Sequence, residues 1–177
     1  MLLVVLIVGL GIVISLQPNT FAIERSATMH ATPAEVFAQV NDLAKWDAWS
    51  PWKKLDPNPK TKLSNPSFGK GATFEWSGND EIGEGILTIV ASQPDERVEI
   101  EQEFVRPFAG KALIAFEFLP YHNGETLVVW NMTGKNDFIG KAMCLVMNMD
   151  AMVGPKFEEG LANMKAVVEQ SDAEPAE

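Results

Sequence analysis

One polar side chain interrupts an otherwise apolar row in the segment RVEIEQEF, residues 97–104. Val98, Ile100, Gln102 and Phe104 alternate there with Arg97, Glu99, Glu101 and Glu103. A charged row of this kind faces water, so the other row faces the interior. An amide among apolar neighbours costs about 1–3 kcal/mol unless it is hydrogen-bonded. Gln102 is therefore satisfied by backbone or water, or it addresses a bound molecule. The carboxylates Glu99, Glu101 and Glu103 share the outward face of one strand and read as solvated charge rather than an acid–base pair. Asp150, Glu158 and Glu159 read in the same way, as helix-end and surface charge. Cys144 is the single cysteine, which excludes an intramolecular disulfide and a cysteine-based zinc site. With no cation or base beside it to lower its pKa, it reads as a small buried hydrophobe. His30 and His122 read as surface residues, too few and too isolated for a histidine-rich metal centre, so no metal or other cofactor is expected.

The neighbouring strands continue the apolar surface on which Gln102 lies. Ala72, Phe74 and Trp76 form one inner row, Ala112, Ile114, Phe116 and Phe118 another, and Thr126, Val128, Trp130 and Met132 a third. Trp76, Gln102, Phe104, Phe116, Trp130 and Met132 thus face the space beneath the C-terminal helix. An apolar wall with few polar groups suits a small-molecule site. Ordinary core packing is the alternative for each large apolar side chain. Met143 and Met147, with Met149 and Met152, lie on the segment that would roof that space. Thioethers either adapt to apolar ligands of varied shape or fill gaps in a core. Trp46, Trp49 and Trp52 close one end of the interior if packed inward, or sit at a membrane interface if partly exposed.

These side chains need elements to hold them. Phe21–His30 alternates imperfectly, with Arg25 interrupting the apolar face, and reads as a strand. Thr32, Pro33 and Glu35 form a capping-box start for a short helix. Pro51, Pro57, Pro59 and Pro66, with Gly69 and Gly71, mark a long irregular stretch. A run of five or six antiparallel strands follows, with Gly83 and Gly85 on one face, which suggests a bend or the close approach of another backbone. Helical spacing returns over 137–152 and again from Phe157 through Leu161, Met164 and Val168. Gly154-Pro155 marks a kink or restart between them, because proline cannot donate an amide proton.

Residues 1–16, MLLVVLIVGLGIVISL, are uncharged and apolar apart from Gly9, Gly11 and Ser15. As a helix they would extend about 24 Å, slightly short of a hydrocarbon core of ~30 Å. A basic leading region is absent, so a retained anchor over 1–17 is expected over a cleaved signal. The fold class expected is α+β with an N-terminal transmembrane helix. The chain would be single-pass, with the domain over 20–170 on the non-cytoplasmic side and a disordered tail over 171–177. Lys plus Arg total 14 against 24 Asp plus Glu, a net charge of −10. Nucleic acid is therefore not an expected partner, since phosphate binding relies on Lys and Arg.

Three separated segments carry a family resemblance: FAIERSATMHATPAEVFAQVNDLAKWDAWSPW, then GATFEWSGN with EIGEGILTI, and finally MVGPKFEEGLANMK. In this order, across about Phe21 to Glu169, the sequence resembles the SRPBCC superfamily (START and Bet v 1-like), in particular bacterial polyketide cyclase/dehydrase-like members. The resemblance implies a helix-grip fold, a curved antiparallel sheet wrapped around a long C-terminal helix with a cavity between them. It transfers no catalytic residue, because the superfamily has no shared nucleophile, dyad or metal motif. The expected function is binding of a small apolar or lipid-like ligand. A cyclase or dehydrase acting in the same cavity and a protein-interaction module are the alternatives.

Overall fold

The computed structural model describes residues 2–145 and 148–171. Helix α1 (Leu2–Ser15) precedes strand β1 (Thr20–Met29), helix α2 (Pro33–Asn41) and two short 3-10 segments, Leu43–Ala48 and Pro51–Lys54. Strands β2 (Lys60–Leu63), β3 (Thr73–Ser77), β4 (Glu84–Gln93), β5 (Arg97–Arg106), β6 (Gly110–Pro120) and β7 (Thr126–Lys135) follow. Helices α3 (Phe138–Cys144) and α4 (Met149–Ser171) end the described chain.

The strands form one antiparallel sheet in the order β1-β7-β6-β5-β4-β3-β2. Period-2 alternation decides its faces. On the convex side Arg97 pairs with Glu99 and Glu117, and Lys111 bridges Glu101 and Glu103. The concave side carries the apolar rows, and α2, the 3-10 turns and α4 pack over part of it. Helix α2 starts where its capping box requires: Thr32 N donates to Glu35 Oε2 at 2.7 Å, and Glu35 N donates back to Thr32 Oγ1. This is the helix-grip architecture. Gly83 lies at φ +63°, its missing Cβ replaced by the Arg106 carbonyl, and Gly85 lets Trp76 and the Glu103 carbonyl approach within 2.5 Å of where a Cβ would stand. Both glycines flank the register shift between Glu84 and Gly85.

Two expectations are corrected. The N-terminal transmembrane helix is absent: α1 has 14 residues, about 21 Å of helix against the ~30 Å a crossing needs. Among the described residues no helix is long and apolar enough to cross a membrane. The helix stops at Ser15, whose hydroxyl bonds back to Gly11 O, and Gln17 folds onto Val13 O just ahead of Pro18. The single-pass membrane location and the membrane contact through residues 1–17 fall with it. The helical restart expected at Gly154-Pro155 also lies elsewhere. It comes after α3, ahead of Met149, and α4 runs unbroken through Gly154 and Pro155. The packing of Met149, Val153 and Phe157 against the core at successive i, i+4 positions offsets the hydrogen bond lost at Pro155. Residues 172–177, expected as a tail, lie outside the described residues.

Candidate functional site

The concave face is built of cross-strand rows, and each row has a different cover. Arg25, Trp130, Phe116 and Val98 lie side by side in one; Ile23, Met132, Ile114, Ile100 and Ile89 form the next. Phe21, Gly134, Ala112, Gln102, Leu87 and Phe74 form the third, and Gly110, Phe104, Gly85 and Trp76 the last.

The first two rows are filled. Phe116 and Trp130 are 0% exposed and Met132 is 5% exposed. The Phe157 ring of α4 stacks on the Trp130 indole at 4.0 Å and 8°, and Trp49, Trp52 and Phe116 surround it. Gly160 lets the helix settle directly on that indole. Of the two positions open to Trp46 and Trp49, both are packed inward: they are buried, and their indole nitrogens donate to Val40 O and Gln39 O. Trp130 Nε1 is buried without a hydrogen-bond partner among the described residues.

The last two rows are not covered in this way. Phe74, Trp76, Gln102 and Phe104 are all half-buried. Trp76 donates its indole N–H to Ile82 O at 3.0 Å, which fixes a ring stacked on Phe74 at 6.4 Å and set edge-on to Phe104 at 6.1 Å. The Phe21 ring lies over Gly134 at the other end of the Gln102 row. The Gln102 side-chain amide has no hydrogen-bond partner among the described residues. The structure thus parts the predicted residues into two groups. Trp76, Gln102 and Phe104 share an accessible aromatic surface with one amide; Phe116, Trp130 and Met132 belong to packed core. A separate cleft of about 240 Å³ lies at the edge formed by β2, β3 and β4, lined by Lys62, Glu75, Glu84 and one flank of Trp76.

The methionine roof is only partly in place. Met149 packs against the core, Met152 is 51% exposed, and Met143 is half-buried on α3, which packs on α1. Met147 lies outside the described residues. Cys144, expected buried, is half-buried and its Sγ accepts from Asn136 Nδ2 at 3.6 Å. His30 is a surface residue, as expected, paired with Glu125 at 3.0 Å. Among the described residues no group of three His, Cys, Asp or Glu side chains could hold a metal ion.

Sequence reasoning missed the part played by Arg25. Its guanidinium leaves the inner row and bridges α4, donating to Asp150 at 2.8 and 3.0 Å, to Glu158 at 2.7 Å and to the Glu24 carbonyl. Gly154, midway between those acids, leaves the room that the guanidinium occupies. These bonds hold the Asp150 carboxyl below the usual carboxylate range and the guanidinium above its usual value. The signal was present: Asp150, Gly154 and Glu158 stand at i, i+4 and i+8, one stripe of a helix, facing Arg25, the charge on the inward face of β1.

The family model described as polyketide cyclase / dehydrase and lipid transport matches residues 20–169. No curated protein matches the chain. Among solved structures, a protein of unknown function from Staphylococcus aureus is 15% identical, covers 88% of this chain and 97% of its own, and has a TM-score of 0.62. The Aha1 dimer from Colwellia psychrerythraea is 15% identical over 84% of this chain and 96% of its own, with a TM-score of 0.60. Protein CV1439 from Chromobacterium violaceum is 16% identical over 86% and 98%, with a TM-score of 0.59. At these identities the likeness is one of fold.

Proposed function

Because the chain belongs to the polyketide cyclase / dehydrase and lipid transport family, we propose that it binds a small apolar or lipid-like molecule on the concave face of its sheet, at the end lined by Phe74, Trp76, Gln102 and Phe104. The observation that carries this reading is the Gln102 amide, which stands without a protein partner on an aromatic surface among the described residues. Half-buried aromatic rings supply apolar area, and one fixed polar group supplies orientation. Binding is favoured over catalysis by the same rows. Acid–base work needs a titrating group within hydrogen-bond reach of the substrate. Among the described residues, the inner rows offer Gln102, which does not titrate, Arg25, engaged by Asp150 and Glu158, and at the end of β5 Arg106, engaged by Glu84. The domain that would bind is the one over residues 20–170, without residues 1–17.

The test is solvent extraction and mass spectrometry of the purified protein, together with titration of an apolar fluorescent probe. An apolar molecule copurifying, or probe binding that Trp76→Ala abolishes, supports the reading. Empty extracts and no probe binding defeat it.

A further inference from the structure

We propose that the molecule taken up carries an uncharged oxygen function, such as a hydroxyl, ketone or ester carbonyl, and that Gln102 reads it. This rests on the binding reading above and names the class of ligand. The argument starts from what the inner rows can offer a head group. An amide donates through its NH2 and accepts through its oxygen, and it holds no charge to balance an ion. It can therefore meet a hydroxyl or carbonyl completely, whereas a carboxylate or ammonium placed there would lose its hydration without a counter-charge.

Arg25 does not supply that counter-charge. Asp150 and Glu158 together outweigh it, and Arg106, two residues beyond Phe104 at the end of β5, is likewise held by Glu84 at 3.1 Å. A carboxylate seeking Arg25 would have to displace acids already bonded at 2.7–3.0 Å. The other acidic side chains of β5 point to the convex face, where Arg97 and Lys111 hold them. The carboxylates on that side of the sheet, Asp150 and Glu158, are bonded to Arg25 over β1, three strands from β5, so among the described residues an ammonium group at Gln102 finds no free carboxylate beside it. The unpartnered donor Trp130 Nε1 offers no alternative reading point, because Trp130 is 0% exposed and sealed by Phe157. Beside Gln102 in its row stand Leu87 and Ala112, both apolar, and Phe104 follows two residues along its strand. The amide is therefore the point on this surface where polarity is read.

The experiment compares decanol, decane, decanoate and decylammonium, equal in chain length, by calorimetric titration of the full chain at neutral pH. Decanol is expected to bind at least about tenfold more tightly than either ion, and about fivefold more tightly than decane, one hydrogen bond's worth. Gln102→Leu should bring decanol down to decane, and Gln102→Met, closer in length, serves as the check if the leucine variant melts lower. If decanoate or decylammonium binds as well as decanol, or if the Gln102 variants keep the preference over decane, the assignment of ligand class fails while apolar binding stands. If none of the four binds, both fail.

Discussion

The two ends of the concave face are made of similar residues and behave differently. At one end Phe116 and Trp130 are joined by Trp49 and Phe157 and shut away from water; at the other Phe74, Trp76 and Phe104 stay half-buried. Both sets lie on inward rows of the same antiparallel sheet. What separates them is the cover: α4 lies along β1, with the 3-10 turns beneath it, and α2 reaches β5 and β6. Among the described residues no helix packs on β3 to a comparable extent. An inward row is thus a statement about direction only, and it becomes core or binding surface according to which helix reaches it.

The sharpest way to break this contrast is to truncate an indole at each end. Trp130→Ala should cost about 3–5 kcal/mol in urea unfolding, the range for large aromatics removed from a packed interior. Trp76→Ala should cost about 1 kcal/mol, as for a residue that is not fully buried, while removing apolar-probe binding. Equal losses for the two variants would show that the ends do not differ.

That contrast also marks where the sequence stops being informative. The alternation in β5, β6 and β7 was legible to the residue, because Glu99, Glu101 and Glu103 oblige their neighbours to face inward. So were the capping box at Thr32 and the close backbone approach at Gly83 and Gly85. The division of the site was not legible, since Trp76 and Trp130 have the same local pattern and differ only through a helix distant in sequence. The first helix failed on length: apolar character predicted a crossing that 14 residues cannot make. The restart at Pro155 failed through tertiary override, since Met149, Val153 and Phe157 hold α4 together across it.

A smaller effect sharpens the account of the cover itself. Gly154 sits where α4 crosses Arg25, and an added Cβ would meet the end of the guanidinium. Alanine at an interior helix position ordinarily gains about 1 kcal/mol over glycine. In the wild-type background Gly154→Ala should lose that gain, because the guanidinium must leave Asp150 and Glu158. With Arg25→Ala already present, the same substitution should become stabilising. A double-mutant cycle in urea reads the sign change directly, and stabilisation in both backgrounds would show that Arg25 does not occupy that space.

Acidification should loosen the same cover, by the smallest margin. Three carboxyls of α4 titrate below their ordinary values: Asp150 through the hydrogen bonds from Arg25, Glu159 through those from Lys156 and Lys54, and Glu169 through the bond from the His30 amide, with Lys165 adding to it. A folded-state pKa that is depressed contributes stability above the unfolded value and loses it as pH falls through the folded one. The unfolded references are 3.8 for Asp150 and 4.5 for Glu169, so the loss begins as pH drops below about 4.5. Asp150 is 53% exposed and Glu169 28% exposed, so solvent screening keeps each contribution small. Near-ultraviolet circular dichroism of the tryptophan cluster under α4 reports the change. Arg25→Met should flatten the part of the acid transition that belongs to Asp150 and leave the part that belongs to Glu169. An acid transition unchanged by Arg25→Met would mean that the bridge to β1 does not hold the first turns of α4 over the closed end of the sheet.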